Sequence, residues 1–248
     1  MIEAKNIIKE YSKNRVLDDV STIFEQGKIN CIIGRSGSGK TVLLKCIIGL
    51  ETPDNGDVLF DKREYTKASF KQKKEIRREI GVVFQSGALF DSLNIMENVM
   101  FPLNMFTDLS YTQKVKKVLY SLERVGLKNV EKKFPAELSG GMQKRAAIAR
   151  AIVNNPKYLF CDEPNSGLDP ITAETIDDLI KDISLEYKTT TIINTHDMNS
   201  VFTLADKILL IANGKKEWEG TPDKILSCKN EELVKFVDKF MNFTQKIK

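Results

Sequence analysis

The strongest constraint on this chain is Gly34-Arg35-Ser36-Gly37-Ser38-Gly39-Lys40-Thr41, a full match to G-x-x-x-x-G-K-[ST]. The motif follows an unbroken apolar run, Ile29 to Ile33, and opens a helix-like stretch, Thr41 to Leu50. A buried strand, a glycine-rich turn and a helix in that order form a cradle for phosphate. Bare backbone N–H groups and the positive end of the helix dipole face the anion. In that geometry Lys40 reaches the β- and γ-phosphates of a nucleoside triphosphate, and Thr41 Oγ binds Mg2+.

Further apolar runs bounded by turn signals predict buried strands at Ile80 to Phe84, Tyr158 to Cys161, Thr190 to Ile193 and Ile208 to Ala212. Helical stretches at Ala173 to Glu186 and Met198 to Ala205 alternate with them. Such alternation predicts a largely parallel sheet covered on both faces. Before the Gly34 loop the pattern differs. There, and after the Pro53-Asp54-Asn55-Gly56 turn at Asp57 to Phe60, antiparallel strands are expected to flank the core. Residues from about 88 to 154 show no strand signal but two helical segments, Tyr111 to Val125 and Met142 to Val153, so a helical subdomain is expected to interrupt the core.

Two further motifs carry chemistry. The apolar run at Tyr158 ends in Asp162-Glu163. Asp162 is positioned to hold Mg2+, directly or through water, and Glu163 to polarise an attacking water as general base. Two acids after a strand are by themselves more often a solvated strand end. Their company with the Gly34 loop favours the chemical reading. Ser139-Gly140-Gly141 at the start of a helix offers a hydroxyl, bare amides and a dipole, a second anion site. In isolation it would be a plain N-cap.

Ser139-Gly140-Gly141, lying between the Gly34 loop and Asp162-Glu163, resembles the signature of ABC ATPases. The resemblance covers about residues 2 to 225. It implies a P-loop NTPase (RecA-like) α/β fold: a parallel-sheet core with an antiparallel β subdomain and an inserted helical subdomain. On this reading residues 1–248 are one ATPase domain. Its core is 1–87 with 155–220, its helical signature subdomain 88–154 and its helical tail 221–248. The resemblance also implies two subunits packed head to tail over two MgATP, the signature of each completing the site of the other. Residue by residue, Tyr11 matches the aromatic that stacks on adenine. Gln85 matches the glutamine that contacts Mg2+ or water and signals to a membrane subunit. Asp169, in Ser166-Gly167-Leu168-Asp169, matches the loop that spans the dimer. His196, in Asn194-Thr195-His196-Asp197, matches the histidine that contacts γ-phosphate. It is the only histidine in the chain. Met142 stands where many relatives have Gln, and Arg35 and Asn165 where Pro and Thr or Phe are usual. None of the three removes a catalytic group.

Phe84-Gln85-Ser86-Gly87-Ala88-Leu89-Phe90-Asp91-Ser92-Leu93, then Asn98-Val99, Pro102-Leu103 and Gly167-Leu168-Asp169-Pro170-Ile171-Thr172 resemble the Mla-type (Mkl) branch. That branch implies a phospholipid-trafficking permease as partner, an MCE-type lipid-binding protein, and in some systems a small STAS-domain subunit. The alternative is the ATPase of a small-solute transporter. A non-transport ABC ATPase would be expected to carry a coiled-coil insertion or tandem domains, and neither is present.

Bulk properties limit the remaining classes. Thirty-eight basic against 34 acidic residues, a formal charge of +4, give no basis for nucleic-acid binding. The four cysteines form no C-x-x-C pair, so reduced thiols are expected. The N-terminus lacks a signal-peptide core, and no apolar stretch approaches the ~18 residues that span a bilayer. Peripheral attachment to the cytoplasmic face of the inner membrane, through a partner, is the expectation. The basic stretch Lys67 to Arg78 reads as a solvated helix face because Glu75 and Glu79 are interleaved. Leu233, Phe236, Val237, Phe240 and Ile247 fall near one face of a tail helix expected to pack on its own domain.

Overall fold

A computed structural model describes residues 1–12, 14–225 and 227–245, with side chains placed through 238. In chain order, β1 (Ile2–Tyr11), β2 (Asn14–Phe24) and β3 (Ile29–Ile33) precede α1 (Lys40–Ile48). β4 (Asn55–Phe60), β5 (Arg63–Glu64) and α2 (Phe70–Arg77) lead to β6 (Ile80–Val83). Then come α3 (Ile95–Phe106), α4 (Tyr111–Arg124) and α5 (Gly140–Ile152). β7 (Tyr158–Asp162), α6 (Pro170–Tyr187), β8 (Thr190–Asn194) and α7 (Met198–Leu204) follow. β9 (Lys207–Ala212), β10 (Lys215–Gly220), α8 (Pro222–Ile225) and α9 (Glu231–Gln245) end the described order. Met1–Lys73 with the residues from Ile192 onward form one compact unit, and Lys74–Thr191 another.

In the first unit, β1 lies between β2 and β4 and runs antiparallel to both, and β5 pairs with β4. Ile2 stands opposite Phe24 on one side and Phe60 on the other, and all three are buried. The β1–β2 register shifts near Asn6 and Asp19, both at positive φ. Asn6 Nδ2 donates to Asp19 Oδ1 at 2.8 Å and so stabilises the bulge. β3 is buried at all five positions and runs parallel to β9, as its unbroken apolar sequence requires. β10 returns antiparallel to β9 through Asn213-Gly214, whose φ values of 48 and 75 give the left-handed pair of a tight hairpin turn. In the tail helix Leu233 and Val237 are buried, Phe236 is half-buried, and Asn230 Nδ2 donates to the Glu217 carbonyl of β10. Phe240 and Ile247 lie outside the residues whose side chains are described.

In the second unit, β6 and β7 are parallel. Gly81 of β6 lets α5 approach, since a Cβ there would meet the Ala151 carbonyl at 2.3 Å. Ala146, Ala147 and Ala149 of α5 are fully buried, so small side chains set the spacing of this helix from its neighbours. No strand occurs between residues 88 and 154 among the described residues. α4 and α5 occupy the two segments read as helical. α3 was not foreseen: Pro102 lies inside it and its apolar residues surround it. Its start is marked by a capping box, Asn94 with Glu97.

Asn98, wholly buried on α3, knits this region together. Its Oδ1 accepts from Phe90 N at 2.8 Å, and its Nδ2 donates to the carbonyls of Phe90, Leu93 and Asn94 at 2.9–3.0 Å. Asn98→Ala removes this amide and takes the side-chain partner from Phe90 N and Leu93 O, two part-buried groups, at ~1–3 kcal/mol each. The variant is expected to lose about 3 kcal/mol or more of stability in urea unfolding. A loss under about 1 kcal/mol would show that the amide does not organise the segment.

Candidate functional site

The first unit contributes the phosphate loop. β3 ends at full burial and the chain turns at Gly34, φ +150, where a Cβ would meet the Ile211 carbonyl at 2.2 Å. Gly39, φ +108, has Val16 O and Leu17 Cδ2 at 2.9 Å from the same imagined atom. The two glycines are therefore fixed by neighbours as well as by dihedral angle. Ser38 N donates to Arg35 O at 3.1 Å and closes the turn. Lys40, only 5% exposed, folds back along the loop and donates from Nζ to Gly34 O at 2.8 Å and Arg35 O at 3.1 Å. Ser36 and Gly37 are at the exposed tip, and Thr41 follows Lys40 in the first turn of α1.

Those features fit a phosphate. The ammonium is held over the loop, glycines keep side chains out of it, and Ser38 Oγ is buried without a hydrogen-bond partner. They fit Mg2+ in the manner of a nucleotide-borne ion. Among the described residues no group of three or more His, Cys, Asp or Glu could hold a metal alone. Mg2+ bound through substrate phosphates needs only one or two protein oxygens.

His196 follows β8 and is exposed, with its neighbours fixed on both sides. Thr195 N donates to Ile32 O of β3 at 3.1 Å, and Asp197 caps α7 by accepting from Asn199 N at 2.9 Å. Asp197 N in turn donates to Thr195 Oγ1 at 3.0 Å. Tyr11 ends β1 with 41% of its surface exposed, and Lys9 Nζ lies 5.4 Å from its ring centroid. Desolvation, reinforced by Glu51, pushes its phenol above the usual value.

The second unit holds the carboxylates and the signature. Asp162 ends β7 and is 7% exposed. Glu163 follows in the left-handed region at φ +46, a conformation that costs a non-glycine residue about 1–3 kcal/mol. Ser166 N donates to Glu163 O at 3.1 Å and fixes this turn. Gln85 brings its Nε2 to Glu163 Oε2 at 3.1 Å and to Ser166 Oγ at 3.3 Å. Asp169 caps α6, accepting from Thr172 N at 3.0 Å and from Thr172 Oγ1 at 2.6 Å, bonds that hold its carboxyl below the usual range. Ser139 caps α5 by accepting from Met142 N at 3.4 Å, and both Ser139 and Gly140 are exposed. Gly141 is confined: a Cβ there would lie 2.9 Å from Thr172 Cγ2.

Several contacts of this region escaped the sequence reading. Gln143 Nε2 donates to the carbonyls of Pro135 and Leu138, fixing the approach to Ser139. Asn165 Nδ2 is 3.4 Å from both carboxylate oxygens of Asp177, a buried residue of α6, which gives a physical reason for Asn at this place. Lys144 and Arg150, both buried on α5, donate to main-chain carbonyls after β6. Nothing short of the folded backbone signals these last contacts.

A phosphate loop after a buried parallel strand, with a second strand ending in paired carboxylates, defines an ATP-hydrolysing P-loop protein that uses Mg2+. A family profile described as "ABC transporter" matches residues 17–166, and the chain belongs to that family. It is 39% identical over 234 residues to the probable ribonucleotide transport ATP-binding protein Mkl of Mycobacterium leprae, covering 94% of this chain and 67% of that protein. It is 38% identical to the intermembrane phospholipid transport system ATP-binding protein MlaF of Haemophilus influenzae, covering 96% and 90%. It is also 38% identical to the methionine import ATP-binding protein MetN of Campylobacter jejuni, covering 96% and 75%. Among solved structures, the dimeric ATP-binding cassette MJ0796, in a post-hydrolysis state with ADP and phosphate, superposes with a TM-score of 0.83. That match is 33% identical and covers 89% of this chain and 98% of that one.

Gly34→Ala tests how tightly the loop is built, because the added methyl meets a backbone carbonyl at 2.2 Å. We expect a melting midpoint about 4 °C or more below the parent and loss of nucleotide binding. Gly37→Ala, where no heavy atom lies within 4 Å of the added Cβ, should show only the smaller cost of its φ of +78. Equal effects of the two in differential scanning calorimetry would contradict the packing argument.

Proposed function

We propose that this chain is the ATP-hydrolysing subunit of a membrane transporter, and that two copies close head to tail over two MgATP. The observation that carries the proposal is the Gln85–Glu163 hydrogen bond at 3.1 Å, at the end of a strand whose last residue is Asp162. Glu163 then acts as general base on the attacking water. Gln85 orients it and contacts Mg2+ or water. Thr41, Asp162 and Gln85 would hold Mg2+, which would supply charge neutralisation at the phosphates. Lys40 and the amides of Gly34, Arg35, Ser36, Gly37, Ser38 and Gly39 cradle the β- and γ-phosphates, Tyr11 stacks on adenine, and His196 contacts the γ-phosphate. Ser139, Gly140 and Gly141 of the second copy complete the site, and Asp169 lies in the loop that spans the pair. The exposure of Ser139, Gly140 and Asp169 in a single chain supports this reading.

The membrane partner is a permease. An open groove of about 400 Å3 in the second unit, lined by Phe84, Ala88, Phe90, Phe101, Met105 and Phe106, suits an apolar helix of that partner. Attachment is then peripheral, at the cytoplasmic face of the inner membrane and through the permease; no described helix is long and apolar enough to cross a membrane. In this proposal residues 88–154 form the helical, partner-facing part of a single ATPase domain, and 221–248 its tail. The cargo is phospholipid, with an MCE-type lipid-binding protein and a STAS-domain subunit as further partners. The MlaF relative and the segments running from Phe84 to Leu103 and from Gly167 to Thr172 support that cargo. The MetN relative, equally identical, supports a second reading as a small-solute importer.

Glu163→Gln should keep ATP binding and slow hydrolysis by about 100-fold or more, because the base is lost while the metal site survives. Lys40→Ala should lose nucleotide binding itself. Filter binding and phosphate release in the assembled complex separate the two. Wild-type turnover by Glu163→Gln would remove the general-base assignment. Cargo is tested by purifying the chain from native membranes in mild detergent and identifying what accompanies it by mass spectrometry. A permease with an MCE-type protein and phospholipid is the expected result. A permease with a solute-binding partner instead would overturn the lipid reading and leave the ATPase intact.

A further inference from the structure

The loop that carries Gln85 is held from behind by the same helix that begins with the signature. Lys144 Nζ donates to the Gln85 carbonyl. Two turns further along α5, Arg150 donates to Gly87 O at 2.7 Å and to Ala88 O at 2.6 Å. Gly87 and Ala88 sit at φ +76 and +48, so the carbonyls are presented by a left-handed turn that the buried guanidinium stabilises. Lys144 is 7% exposed and Arg150 9% exposed. Burying such cations is costly unless they are well bonded, so the two are poor choices for mere packing.

We propose that Lys144 is a positioning residue for hydrolysis: it fixes the Gln85 main chain so that Gln85 Nε2 holds the Glu163 carboxylate. The chain of contacts is continuous within one unit, from Lys144 Nζ to Gln85 O, then through the same residue from Gln85 Nε2 to Glu163 Oε2 at 3.1 Å. Lys144 also lies within electrostatic reach of Glu163. Burial lowers its pKa and the nearby carboxylate acts against that shift. Arg150 and Ala88 both line the groove assigned above to the permease. An occupant that moves the Ala88 turn therefore moves a loop whose other end bears on Glu163. This inference rests on the proposed roles of Gln85 and Glu163.

The test is a double-mutant cycle in the assembled complex, reading kcat and KM for ATP and the melting midpoint. Lys144→Met should lower kcat about tenfold with KM within about twofold, since a misplaced base slows the chemical step without altering ATP binding. Lys144→Arg, which keeps a charged donor, should restore most of the rate. In a Gln85→Ala background, Lys144→Met should have no further effect, because its route to Glu163 is already cut. Multiplicative losses in the double variant would overturn the proposal. So would a rise in KM with kcat unchanged, or failure of Lys144→Arg to recover activity. Should Lys144→Met not assemble, Lys144→Gln, with a shorter uncharged donor, enters the same cycle and multiplicative losses there count equally against it. Glu163→Gln stands apart as the control on the base itself. Its result can remove the role of Glu163 while the cycle still reads the coupling of Lys144 to Gln85.

Discussion

A chain turning on glycine at the end of a fully buried strand is the constraint on which the first unit depends. β3 has no exposed residue, and at Gly34 there is no room for a methyl group beside the Ile211 carbonyl. The strand fixes where the turn begins, and β9 beside it supplies the carbonyl that forbids a Cβ. α1 fixes where the turn ends, with Gly39 wedged against Val16 and Leu17 of β2. Sheet packing thus leaves the loop little freedom. A backbone fixed in this way is preorganised, which is what the proposed cradling of phosphate by its amides requires.

The second unit solves a different problem. It holds the Glu163 carboxylate close to a buried cation, Lys144. Lys144 and Arg150 of α5 bind main-chain carbonyls, and three of the carboxylates lie against neutral donors. Glu163 takes the Gln85 amide and Asp169 takes Thr172, while Asp177 takes Asn165. Neutral hydrogen bonds of this kind orient the carboxylates.

Much of this was legible beforehand, and the reasons differ by element. The buried strands were found to within one or two residues because a strand covered on both faces is an unbroken apolar run. α4 and α5 were visible as 3.6-residue patterns. α3 was hidden by Pro102 and by apolar residues on all sides, although Asn94 and Glu97 spelled out its cap. β10 was missed because Lys215-Lys216-Glu217-Trp218-Glu219 is highly charged and has no fully buried position, although Asn213-Gly214 announced the hairpin. Of the chemistry, residues in contiguous motifs were readable. Lys144, Arg150, Gln143 and Asn165 were not, since each acts on a carbonyl or carboxylate distant in the chain or specified only by backbone direction.

The left-handed backbone of Glu163 has a consequence for any substitution there. Glycine or asparagine tolerates φ +46 better than glutamate does, so exchanging Glu163 for either would relieve strain at that peptide. Substitution at this position thus sets two quantities against each other: backbone stability rises as the carboxylate at the strand end is lost.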